Sequence, residues 1–210
     1  MCIRDSTGGM SFAELLEQPG VVEHAELRST FGFFAYHGGP VERATSLIAR
    51  RAAEIAGASF YSIEQNPERP LHLPSIRYDP SESETLTRVL DHIEVVATVH
   101  GYGRELDKRW ILLGGQNREL AAVVQRELSA RLTAQFKVIA DLDEIPRELR
   151  GVHEKNPVNL PVQRGVQVEL PPSVRWNYEA RDWGDAPGLE PTETIMAVID
   201  ALAAAANDFH

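Results

Sequence analysis

Cysteine is almost absent: Cys2 is the only one in 210 residues. No internal disulfide can staple the fold, and a cysteine-rich zinc site cannot be built. Positive charge is also short, with 21 Lys and Arg against 31 Asp and Glu and a formal net charge of -10. Such a field repels nucleic acid and anionic lipid, so neither is expected as a partner, and a polyanionic substrate would need a local arginine patch. No apolar run reaches the 18 residues a membrane-spanning helix requires, and no basic stretch followed by an apolar core opens the chain. The expected location is therefore cytoplasmic. No phosphate loop, dinucleotide fingerprint, nucleophile elbow or closely spaced His-Glu-His helix is present.

What remains is the composition of a globular protein, 43% hydrophobic and 25% charged. A chain of this length buries roughly 70% of its extended surface as one domain. Residues 1–10 lack periodicity and read as a tail, leaving 11–210 as a single domain.

The chain alternates strand and helix patterns. Phe31 to Tyr36 is a mostly aromatic run, followed by His37, two glycines, Pro40 and Glu42, after which Leu47, Ile48, Ala52, Ile55 and Ala56 recur at helical spacing up to Gly57. Ser59 to Ser62 reads as the next strand, giving a crossover unit with parallel neighbours. Leu71-His72-Leu73 reads as a short strand, with His72 held in reserve as a pocket residue. An acidic turn at Ser81 to Glu84 opens a helix ending near Leu90. Ile93 to Val99, β-branched and unbroken, reads as a central strand. Trp110 to Leu113 is another strand, Asn117 caps a helix through Leu128 or Leu132, and Phe136 to Ile139 is a short strand. Residues 141–164 have no firm period, which in a compact domain points to a functional loop. Gly165 to Leu170 alternates at period two, and a last helix starts at Pro191 to Glu193. The expectation is a single α/β domain, an open, twisted, mainly parallel mixed sheet with helices on both faces.

Three strands in this reading end on residues that bind metals or move protons. His37 and Glu42 lie on one strand-to-helix turn, His100 follows the central strand, and Glu169 sits near the end of Gly165 to Leu170. Open α/β sheets bind ligands at the carboxyl ends of their strands. Zinc takes three ligands from histidine and carboxylate and keeps a fourth position for water. The candidate metal site is thus His37, Glu42 and His100, with Glu169 as a base. Each has a plainer reading: a hydrogen-bonded loop histidine, a first-turn carboxylate for Glu42, or a solvent-facing Glu169 on an edge strand. Arg164 and Arg175 flank Glu169 and offer planar forks for a substrate carboxylate or for the developing oxyanion, the latter making Arg175 a candidate catalytic residue. Asn156 and Asn159 are candidate donors to the same substrate, with a turn-forming role as the alternative.

Phe33-Phe34-Ala35-Tyr36-His37-Gly38-Gly39-Pro40-Val41-Glu42 with Thr45-Ser46, then Val99-His100-Gly101, Leu113-Gly114-Gly115, and Gly165 to Leu170 with Arg175 together resemble the phage-type poly-gamma-glutamate hydrolase family, whose fold is similar to the zinc carboxypeptidases. The resemblance implies one zinc per chain on His37, Glu42 and His100, Glu169 as general base, Arg175 as a substrate contact, and cleavage of amide bonds in gamma-linked glutamate polymers. Two competing expectations stand beside it. One is a metallo-amidase acting on small N-acyl amino acids or cell-wall gamma-glutamyl peptides. The other is a non-catalytic metal-containing domain that binds glutamyl chains. Oligomeric state is not specified by the sequence.

Overall fold

A computed structural model of the chain describes residues 9–65, 68, 70–103 and 109–209. Cys2, His210 and the charged run 104–108 lie outside the described residues, as does most of the stretch read as a tail. Met10, its last member, packs against the core.

In chain order the elements are α1 (Phe12–Leu16), β1 (Val22–Glu26), β2 (Phe31–Gly38), α2 (Thr45–Ala56), β3 (Ser59–Glu64), α3 (Glu84–His92), β4 (Val95–Gly101), β5 (Trp110–Gly114), α4 (Arg118–Arg131), β6 (Lys137–Ile139), β7 (Gly165–Leu170), α5 (Pro172–Arg175), β8 (Trp176–Asn177), β9 (Asp182–Trp183) and α6 (Glu193–Asp208). The helix starts follow their caps. Ser11 and Glu14 form a reciprocal capping box on α1, and Ser83, Asn117 and Thr192 accept from the first-turn amides of α3, α4 and α6. Residues 80–82 form a separate 3-10 turn because Asp79 caps it and Ser83 restarts the chain as a new N-cap.

Seven strands make one mixed sheet in the order β1-β3-β2-β4-β7-β5-β6. The central run β3-β2-β4-β7 is parallel, β5 pairs antiparallel to β7 and parallel to β6, and β1 closes the other edge antiparallel to β3. A separate hairpin, β8-β9, pairs Trp176 with Trp183. Helices α2, α4 and α6 pack on one face through Ile48, Leu120, Val124, Ile195 and Leu202 against Phe33, Ala97, Val99, Val166 and Val168. The opposite face carries α1 and α3, whose Phe12, Leu15, Leu86 and Val89 meet Phe34, Tyr36, Tyr61, Ile63 and Val96. The same face beyond β7 is covered by the long loop, through Ile145 and Leu149 on Leu112. Among the described residues no helix is long and apolar enough to cross a membrane.

The α/β architecture with helices on both faces matches the sequence reading. One predicted strand is absent: residues 71–73 have no regular secondary structure and join no ladder. The Gln65 side chain takes both main-chain groups of Leu71, at 2.7 Å each, and the Leu73 carbonyl is taken by His37. With those groups engaged by side chains, the segment has no ladder to join.

Candidate metal centre

The carboxyl ends of β2, β4 and β7 form the site, and the strands run further than the sequence suggests. His37 is the penultimate residue of β2, His100 of β4 and Glu169 of β7, so all three are strand residues held by the sheet.

Simple alternation along β2 would place His37 on the face of Phe33 and Ala35, under α2. The ladder to β3 breaks its register there: Ala35 pairs with Ser62 and Gly38 with Glu64, so three steps on β2 face two on β3. This bulge turns His37 to the opposite face, where its ring centroid lies 5.0 Å from that of His100 and 4.6 Å from that of His72. The chain then reverses tightly. Gly39 adopts φ +67, a conformation that favours glycine, and the Glu42 amide donates to the His37 carbonyl at 2.8 Å. Thr45 secures the other side, its hydroxyl donating to the Glu42 carbonyl at 2.6 Å, while Asp185 accepts from the Ala44 amide at the unconventional start of α2.

Glu42 lies between the two imidazoles. One carboxylate oxygen is 2.8 Å from Nδ1 of His37, and the other is 3.2 Å from Nδ1 of His100 and accepts from the Gly101 amide at 2.9 Å. The far nitrogen of His37, Nε2, is 2.8 Å from the Leu73 carbonyl. A carbonyl can only accept, so Nε2 donates a proton to it, which leaves Nδ1 as the nitrogen that would offer its lone pair to a metal. The candidate ligand atoms of His37, Glu42 and His100 lie within 4.8 Å of one another, and all three residues are buried. Two inward-facing nitrogens and a carboxylate are the donor set a divalent ion such as zinc takes.

Burial pushes the Glu42 carboxyl up, but His37 and His100 together outweigh it and hold the group well below the usual carboxylate range. Burial lowers His100, and the charge and hydrogen bond of Glu42, with Glu169 behind, raise it beyond its ordinary value. Glu169 behaves oppositely to Glu42. It is paired with His100 across the β4-β7 ladder and 5% exposed, and burial, only partly offset by His100, moves its pKa from 4.5 to about 7. β7 lies between β4 and β5, so Glu169 is an interior residue and not the solvent-facing one an edge strand would give.

The remaining predicted residues sit differently from expectation. Asn156 donates to Gln167 at 3.0 Å, and Gln167 donates to Glu169 at 2.9 Å, so Asn156 is two steps removed from the site. Asn159 is fully buried and spends its amide on the Gly151 and His153 carbonyls and the Gln116 amide. Both commit these groups to loop hydrogen bonds, where the sequence reading expected donors to substrate. Arg164 precedes the first residue of β7 and donates to the Asn159 carbonyl. It is five residues from Glu169, roughly 16 Å at strand rise, and therefore at the opposite end of β7 from the candidate base. Arg175 is under the site but 4% exposed, with its nitrogens donating to main-chain carbonyls. It is not the open fork expected for a substrate carboxylate.

Sequence reasoning missed Gln167 as the residue that orients Glu169. Their period-two spacing put both on one face; that the face is interior was not visible. It also missed the Leu73 carbonyl, for which a main-chain atom leaves no side-chain signal.

The family model described as poly-gamma-glutamate hydrolase matches residues 10–183. No curated protein matches the sequence. Among solved structures, a bacteriophage poly-gamma-glutamate hydrolase superposes with a TM-score of 0.76 at 19% identity, covering 90% of this chain and 89% of that one. The zinc-free apo form of YNDL gives 0.76 at 20% identity, covering 94% and 96%. A metallo-carboxypeptidase from Pseudomonas aeruginosa gives 0.51 at 14% identity, covering 89% of this chain and 60% of that one. At these identities the structural likeness is one of fold.

Proposed function

The chain belongs to the poly-gamma-glutamate hydrolase family, and on that premise we propose that it is a zinc-dependent hydrolase of gamma-glutamyl amide bonds, with His37, Glu42 and His100 as the metal ligands and Glu169 as the general base. The observation that carries this reading is the meeting of three side chains from two separate stretches around one buried point, beside a carboxylate whose proton affinity is raised toward neutrality.

A zinc ion bound there supplies Lewis acidity toward an amide carbonyl and brings the pKa of its water toward ~7. The protein groups do the rest. The Leu73 carbonyl and the Gly101 amide fix the orientation of His37 and Glu42. Glu169, whose proton affinity burial raises in the metal-free fold, would take a proton from water and return it to the departing amine nitrogen. Gln167 holds one oxygen of Glu169, leaving the other for that transfer.

Release of amine from gamma-linked glutamate oligomers, compared between the wild type and Glu169→Gln, tests the proposal. Turnover by the wild type and its loss in a variant that still folds and holds metal is the expected result. A wild type that hydrolyses no amide would favour the non-catalytic binding domain. The net charge of -10 favours a second reading in one respect, because a short gamma-glutamyl or N-acyl amino acid substrate meets less repulsion than a polyanion. Higher kcat/KM on small acyl amino acids than on the oligomer would select that metallo-amidase reading.

A further inference from the structure

Arg175 occupies a position that the hydrolase chemistry does not require of it. Its Nε donates to the Leu170 carbonyl at 3.3 Å, one terminal nitrogen to the Arg43 carbonyl at 3.1 Å and the other to the Tyr102 carbonyl at 3.0 Å. Those three carbonyls belong to the residue after Glu169, the residue after Glu42 and the second residue after His100. One guanidinium thus joins the three chain segments that carry the candidate base and two of the candidate ligands.

The packing around it is equally specific. A Cβ at Gly101 would stand 2.5 Å from the Arg175 Cζ and under 3 Å from Nε and one terminal nitrogen, so the guanidinium lies directly against the Gly101 main chain. An arginine can usually swing away from such a clash. This one cannot without giving up bonds to carbonyls. Gly101 is also the residue whose amide holds the Glu42 carboxylate. On its outer side the guanidinium is covered by the Trp183 ring of the β8-β9 hairpin, 5.1 Å from the centroid.

We infer that Arg175 is a positioning residue: its fork sets the spacing of the carboxyl ends of β2, β4 and β7, and through Gly101 it sets how Glu42 faces His100, without touching substrate. Its effect on catalysis rests on the metallohydrolase reading above; its effect on loop spacing does not. Lysine keeps the charge and cannot span three carbonyls.

The test uses Arg175→Lys, Gly101→Ala and the double variant in the full chain. For the metal-loaded protein we expect each single variant to lose about 10- to 100-fold in zinc affinity, the range for residues that orient ligands, and a similar factor in kcat, with KM within about threefold. Because both changes disturb one contact, Gly101→Ala adds little in the Arg175→Lys background. In the metal-free protein, amide hydrogen exchange at Gly101 and Tyr102 should rise about tenfold or more in Arg175→Lys. If that variant does not fold, Gly101→Ala, which retains the arginine, carries both measurements. A tenfold or greater rise in KM with zinc affinity and kcat intact would overturn the inference in favour of substrate contact, as would unchanged exchange at Gly101 and Tyr102. A wild type that binds no zinc would defeat the metal reading alone, and the exchange measurement would still decide the clamp.

Discussion

His100 and Glu169 stand opposite each other across the β4-β7 ladder, so the sheet itself sets the separation of a candidate ligand and the candidate base. Glu42, by contrast, reaches the same point from a turn. The site is therefore half rigid sheet and half loop, and the two halves respond differently to substitution.

Glu169→Gln preserves shape and the hydrogen bond from Gln167 can be re-formed, but the base is gone. We predict a loss in kcat on the order of 10² to 10⁴, with zinc content and the thermal transition of the loaded protein retained. Metal analysis beside steady-state kinetics checks both parts.

The same substitution has a pH signature in protein stripped of metal. The Glu169 pKa is about 7 in the fold against 4.5 as a free side chain. Between these values the unfolded chain has released its proton and the folded chain has not. The stability that the protonated group contributes is complete below 4.5 and is lost as pH rises through about 7. Metal-free wild type should therefore lose stability relative to Glu169→Gln as pH goes from 4.5 to 8, measured by denaturant melts. A gap independent of pH would show that Glu169 is not held protonated.

Much of this was legible in the sequence, and the failures have physical causes. The strands around β4 and β7, the starts of α4 and α6, and the meeting of His37, Glu42 and His100 follow from periodicity and from where sheets bind ligands. The bulge that turns His37 to the correct face was not, because alternation alone puts it under α2. Edge strand β1 carries no such signal, since its Glu-His-Ala-Glu run has little apolar alternation and is fixed by pairing with β3. Arg175, Asn156 and Asn159 were placed as substrate contacts because their chemistry suits that role; only the fold shows their donors directed at the protein's own groups.

Asn159→Ala and Arg164→Ala separate those roles. Asn159 is buried and its side chain makes three hydrogen bonds, so its removal should cost about 1–3 kcal/mol of stability with KM unchanged. Arg164, exposed and at the opposite end of β7 from Glu169, should alter kcat and KM by less than about twofold. A selective rise in KM in either variant would restore the substrate-contact reading for that residue.

Gln167→Leu tests the support behind the base. It leaves the Asn156 amide and one Glu169 oxygen without their side-chain partner, and about 1–3 kcal/mol of stability should be lost. Because Gln167 also lowers the Glu169 pKa, the acid limb of the pH-rate profile should move to higher pH. Stability loss with an unmoved profile would separate Gln167 from the proton transfer.

Metal content of the purified protein, measured without added zinc, bears most directly on the whole account. It predicts about one zinc per folded chain, lost in both His37→Ala and His100→Ala while circular dichroism shows the fold retained. A wild type without any bound divalent ion that also takes up none when zinc is supplied, or a metal content that neither substitution changes, would contradict it.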